Sequence, residues 1–236
     1  LGETRSGTAE RNGKKYGVVE QRFAIFPEMS GKLKIPAIDI TASVRLIKRG
    51  RVSRMGVRVS TASLQLEVIP VPGVYPKETP WLPAQAVILS QILEPGTKKA
   101  NVGDTLQRKI EVRIDGNTGS ILPSLNAQPS EKLFSIYPAA PSIEDDTSGD
   151  SVIGFRTESS SIVPLQAGQL SLGKTSITWW DTVSNELRVS VLADSQVSAT
   201  GSTIYREYEE LRKIRDVAPE VSKSEPKVIA ENTEQS

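Results

Sequence analysis

An all-β fold built from two tandem β-sandwiches is predicted by three features of the sequence. Apolar and polar residues alternate with a period of two over most of the chain, which is the pattern of a half-buried strand. Fifteen Pro and 17 Gly fall between these runs. One stretch occurs twice, and a repeated segment marks a repeated structural unit. The length of 236 residues suits one large domain or two small ones.

Strands are predicted at 16–26, 62–71, 105–115 and 185–192. In the third, Leu106, Ile110, Val112 and Ile114 form an apolar face, while Lys109, Glu111, Arg113 and Asp115 point to water. Turns are signalled at 27–31, at Glu94-Pro95-Gly96 and at Asp115-Gly116-Asn117. The repeat joins FPEMSGKLKIPAIDIT at 26–41 to VPLQAGQLSLGKTSIT at 163–178, without a gap. Pro27 and Pro164, Gly31 and Gly168, Leu33 and Leu170, Ile35 and Leu172, Ile40 and Ile177, and Thr41 and Thr178 correspond. The shared grammar is a strand ending at Pro, a corner whose Gly takes positive φ, and a strand with alternate residues facing a core.

Residues 85–162 precede the motif of the second copy, whereas only 25 residues precede that of the first. The expected organisation is therefore a partial unit at 1–72 lacking its opening strands, a linker at 73–84, a complete sandwich at 85–198, and a helix with a disordered tail at 199–236. Pro76, Pro80 and Pro83 break any ladder in the linker, and Trp81 and Leu82 are expected to tuck into the junction. Beyond it, Ile204, Tyr208, Leu211, Ile214 and Val217 recur at helical spacing, predicting an amphipathic helix over 202–216. The start at Leu1, without a charged and then apolar leader, reads as a piece of a longer polypeptide.

Composition removes several classes of chemistry. With no Cys and no His, disulfides, thiolate or imidazole metal sites, Cys or His nucleophilic pairs and a Ser-His-Asp triad have no residues to build them. Twenty-nine Lys and Arg against 28 Asp and Glu give a net charge of +1, which argues against nucleic-acid binding by bulk charge. No apolar run is long enough to span a bilayer.

Four segments, in order, carry a resemblance: YGVVEQRFAIFPEMSGKLKIP at 16–36, LQLEVIPVPGVYPKETPWLPA at 64–84, NVGDTLQRKIEVRIDG at 101–116, and IGFRTESSSIVPLQAGQLSLGKTSITWWDTVSNELRV at 153–189. Together they resemble the BatD, or oxygen-tolerance (aerotolerance), family over 16–193. That resemblance implies tandem immunoglobulin-like domains on the periplasmic face of the cytoplasmic membrane, with a signal peptide and a membrane anchor outside this chain. It also implies work alongside von Willebrand A-type membrane proteins and a MoxR-type ATPase. It brings no catalytic residues and no cofactor.

Charge is unevenly spread. The first 60 residues hold 13 Lys and Arg against 5 Asp and Glu, net +8, so the remainder carries −7. Arg45, Lys48, Arg49, Arg51, Arg54 and Arg58 fall within 45–58 with no acid among them, either a solvated hairpin loop or a surface for an anionic partner. No aromatic residue interleaves them to stack on bases. Trp179 and Trp180 are consecutive in a strand and must point to opposite faces; Trp180 is read as facing outward, to stack on a sugar or to cover the end of the sandwich. Glu144, Asp145, Asp146 and Asp150 surround a turn and supply oxygen atoms of the kind Ca²⁺ takes, without the spacing of an EF-hand loop; the simpler reading is a solvated loop between strands. Ser159, Ser160, Ser161 and Lys174 have no visible base or orienting partner. The expected function is non-enzymatic binding or scaffolding through protein contacts, the alternative being a carbohydrate-binding or adhesin-type sandwich.

Overall fold

In the computed structural model the described residues are 4–125 and 127–201, without the side chains of 46–48. The predicted helix at 202–216 and the tail lie outside them. The described chain is all β. Its strands are β1 (Arg5–Arg11), β2 (Lys14–Glu20), β3 (Gly31–Ile35), β4 (Asp39–Lys48), β5 (Arg51–Ser60) and β6 (Leu64–Val68). Then follow β7 (Pro83–Ala84), β8 (Ala86–Glu94), β9 (Lys99–Asn101), β10 (Leu106–Asp115), β11 (Phe134–Pro138) and β12 (Ser142–Asp146). The last are β13 (Ile153–Pro164), β14 (Gly168–Ser171), β15 (Thr175–Asp181), β16 (Glu186–Leu192) and β17 (Gln196–Thr200).

From β7 onward the strands build a closed sandwich. One layer has the order β11-β13-β10-β8, with β12 also paired to β13. The other consists of β16-β15-β7 and β14-β17-β9. β10 shows why the chain folds here. Its side chains alternate as the sequence predicts, and Ile110, Val112 and Ile114 are buried against Ile177 and Trp179 of the opposite layer. Towards the other end, Leu106, Phe134 and Ile162 pack with Leu170, Leu172 and Val197. Where β13 crosses the 3-10 turn Gly119–Ile121, a Cβ on Gly154 would lie 2.1 Å from the Gly119 nitrogen. Only glycine admits that approach.

The segment expected as a linker at 73–84 folds onto this sandwich. Tyr75 and Leu82 are buried, and Pro83 and Ala84 pair in parallel with Trp180 and Asp181 of β15. The Tyr75 hydroxyl donates to the carbonyl of Pro80 at 2.7 Å, and its ring meets Trp81 edge-on with centroids 4.8 Å apart. Proline stops a long ladder in this stretch, and the aromatic rings hold it down instead.

The first six strands form three antiparallel pairs, β1-β2, β3-β6 and β4-β5. Asn12-Gly13 and Arg49-Gly50 both take positive φ, as a two-residue hairpin turn of the mirror-image type requires. The pairing repeats that of the second copy. Arg5 opposes Glu20 and Ala9 opposes Tyr16; in β12-β13, Ser142 opposes Thr157 and Asp146 opposes Ile153, each residue 137 positions later. Likewise β4-β5 matches β15-β16, and β3-β6 matches β14-β17. Both of these matches require the first copy to be six residues longer at its hairpin tip, where 45–54 replace the turn 182–185.

Candidate binding surface

The hairpin β4-β5 is a regular ribbon and not a loop, because both its strands alternate and its turn residues tolerate positive φ. Its register sorts the side chains. Thr41 opposes Arg58 and Arg45 opposes Arg54, which places these cations on one face with Asp39 and Ser60. Lys48 opposes Arg51 beside the turn that carries Arg49. On the other face Ile40, Val44, Met55 and Val59 are exposed and Val57 is half-buried. Thus five of the predicted cations, Arg45, Arg49, Arg51, Arg54 and Arg58, share a ribbon with Lys48, whose side chain is outside the described set.

Their electrostatics are unbalanced. Arg58 reaches the Asp39 carboxylate at 2.6 Å, and the Ser60 hydroxyl donates to the same group. These two, the hydroxyl first, hold Asp39 below the usual carboxylate range. Arg45, Arg49, Arg51 and Arg54 have no ion-pair partner among the described residues. Arg45 and Arg54 stand directly opposite each other, an arrangement that costs stability until an anion joins them. The basic residues lie chiefly on the six-residue extension that the second copy lacks.

Other predicted positions fall elsewhere. Trp180 does not face outward. It is 9% exposed, with Trp81 lying 6.2 Å from it centroid to centroid, so the segment entering β7 covers the ring. Trp179 is buried on the opposite face, its indole N–H donating to Ser190 at 2.9 Å. A sugar-stacking platform at Trp180 is thereby removed.

The acidic residues also differ from expectation. Residues 142–146 are a strand, since they pair with β13, and the carboxylates do not converge. Asp145 accepts the Gly119 N–H at 2.7 Å, Asp146 accepts the Ser148 N–H at 2.9 Å, and Asp150 pairs with Arg22. Among the described residues no group of three or more acidic side chains could hold a metal ion. Ser159 and Ser161 lie on β13 opposite Lys109 and Gln107, and Ser161 exchanges hydrogen bonds with the Gln107 amide.

Two polar clusters were not foreseen. Arg108 sits in the inward register of β10 between Leu106 and Ile110 and is 2% exposed. Its Nε donates to Gln91 at 2.9 Å and its Nη1 to the carbonyl of Ala127, while burial pushes its guanidinium down to about 10, partly offset by Asp194. The signal was available: one cation in the apolar set 106, 108, 110, 112, 114. At the β15-β16 turn, Asp181 accepts the N–H groups of Ser184 at 3.1 Å and Val183 at 2.8 Å, and Arg188 Nε at 2.7 Å. With the Ser184 N–H foremost and burial opposing, its carboxyl falls to about 2. Both clusters are internal fastenings, although the buried Nη2 of Arg108 has no hydrogen-bond partner among the described residues.

No family model, no curated protein and no solved structure matches the chain.

Proposed function

We propose that this chain is the non-enzymatic, extracytoplasmic binding and scaffolding portion of a membrane-anchored, BatD-like oxygen-tolerance protein. It acts through protein–protein contacts at the periplasmic face of the cytoplasmic membrane. One observation carries the reading: the β4-β5 ribbon extends six residues past its counterpart, and four arginines along it and its turn stand without an ion-pair partner among the described residues. Charge placed on an exposed two-stranded hairpin suits recognition and steering of an acidic surface. The family resemblance supplies the candidate partners, von Willebrand A-type membrane proteins and through them a MoxR-type ATPase.

The test is capture of a von Willebrand A-type partner by the intact chain, compared with a variant carrying Arg49→Glu, Arg51→Glu and Arg54→Glu. These side chains are exposed, so the fold survives the change. Capture that falls at least about tenfold, and falls for the native chain as salt screens the contact, supports the reading. Equal capture by both chains removes the ribbon as the interface.

A further inference from the structure

The chain is divided in charge, +8 over residues 1–60 and −7 over the rest. Four arginines of the β4-β5 ribbon meet no carboxylate of their own chain among the described residues. The outer face of the complete second sandwich holds a cleft of the opposite chemistry.

This cleft, of about 220 Å³, is lined by Lys109, Glu111, Ser142, Glu144, Phe155 and Thr157. Strand alternation places it. On β13 Gly154 and Arg156 point inward and are buried, so Phe155 and Thr157 face outward and form a half-buried floor. Register then supplies the walls. β10 sets Glu111 opposite Thr157, while β12 sets Ser142 opposite Thr157 and Glu144 opposite Phe155. Two carboxylates thus rise from strands on either side of one aromatic ring, with backbones roughly 10 Å apart. Neither is closely neutralised. Lys109 comes only to 3.8 Å from Glu111, and Glu144 accepts the Ser142 hydroxyl at 3.1 Å but has no ion-pair partner among the described residues. Arg113, the cation directly opposite Phe155, is held by Asp115 through hydrogen bonds of 2.7 and 3.2 Å. An aromatic floor between two carboxylates takes a guanidinium well, because the planar group stacks on the ring while its N–H groups reach the oxygens.

We propose that this cleft seats an arginine from the β4-β5 ribbon of a second molecule of the same chain. Charge argues for that occupant: the chain itself displays, on an exposed ribbon, the unpaired guanidinium groups that the cleft is built to take, and the charges of the two regions nearly cancel. Ribbon and cleft are unlike surfaces, so the contact is heterologous. The inference rests on the reading of the ribbon as a recognition element and adds a surface that it recognises.

Sedimentation velocity on the intact 236-residue chain tests it. Between about 10 μM and about 1 mM protein at low salt, association is expected to rise with concentration, and salt at about 500 mM is expected to weaken it at least about tenfold. A cleft variant carrying Glu111→Gln and Glu144→Gln, and a ribbon variant carrying Arg49→Gln, Arg51→Gln and Arg54→Gln, are each expected to self-associate at least about tenfold more weakly. Their mixture decides the matter. The cleft variant keeps a working ribbon and the ribbon variant a working cleft, so together they are expected to form a one-to-one complex that neither forms alone. Phe155→Leu keeps an apolar floor without the π face and is expected to weaken association about three- to fivefold, an effect that bulk charge does not produce. A chain that stays monomeric at low salt overturns the proposal. So does association unchanged in the cleft variant, a mixture that stays monomeric, or indifference to Phe155→Leu. The cleft variant is expected to capture the von Willebrand A-type partner as the native chain does, so failure of self-association and failure of the ribbon's protein–protein role are separate results.

Discussion

Ile177 and Ile40 occupy the same position in two copies of one β unit, yet Ile177 is 4% exposed and Ile40 is 52% exposed. The same holds for Val197 against Leu66 and for Ile162 against Ile25. Strand register is common to both copies, while the second layer is present among the described residues only over the second. Burial requires that layer. The comparison separates strand pairing, common to both copies, from the burial that a sandwich adds.

A large contrast is expected at the paired glycines. Gly154→Ala forces a Cβ into the Gly119 backbone and is expected to destabilise the second sandwich by about 3 kcal/mol, whereas Gly17→Ala stays within about 0.5 kcal/mol. Denaturant unfolding of the two variants measures both; equal losses would mean that the glycines play the same part. Next come the paired isoleucines. Ile177→Ala is expected to cost about 2–5 kcal/mol and Ile40→Ala less than about 0.5 kcal/mol in the same assay. A substantial loss at Ile40 would show that something already covers it.

The turns differ in their response to acid. Asp181 titrates near 2 in the folded chain, below its usual 3.8, so the unfolded chain takes up this proton at higher pH than the folded one. The stability it contributes is complete above 3.8 and is lost as pH falls through about 2. Asp181→Asn is expected to flatten that part of a thermal-stability profile taken between about pH 5 and pH 2. An unaltered acid limb would mean that the carboxylate does not fasten the turn. The smallest effect belongs to the extended hairpin. Arg45→Glu turns a like-charged cross-strand pair with Arg54 into an opposed one, expected to stabilise the ribbon by about 0.2–1 kcal/mol at low salt and less at high salt. Exchange at the amides of β4 and β5 reads this out, and a faster exchange would contradict it.

Much of this architecture was legible from residue order. The period of two in β10 located both its strand and its buried face, and the Pro-to-Gly corners located two segments whose strand pairings repeat. Other features depend on distant partners. Trp180 is covered by Trp81 from a Pro-rich segment whose composition speaks only of broken ladders, so its burial had no local sign. The acids at 142–146 read as a turn because strand propensity is weak in Glu and Asp, and pairing with β13 overrides it. The ribbon at 45–58 was visible as charge, but its status as a six-residue extension emerged only once the registers of both copies were compared. Arg108 was legible in principle, as the one cation in an inward set.

The most direct test of an open first copy beside a closed second one is native-state hydrogen exchange on the intact chain without added partner. Amides of β10 and β13 are expected to exchange only through global opening of the second sandwich, while those of 21–27 exchange at close to unfolded-chain rates. Matching protection in 21–27 and in 158–164 would contradict the account, because it would require a covering layer on both copies.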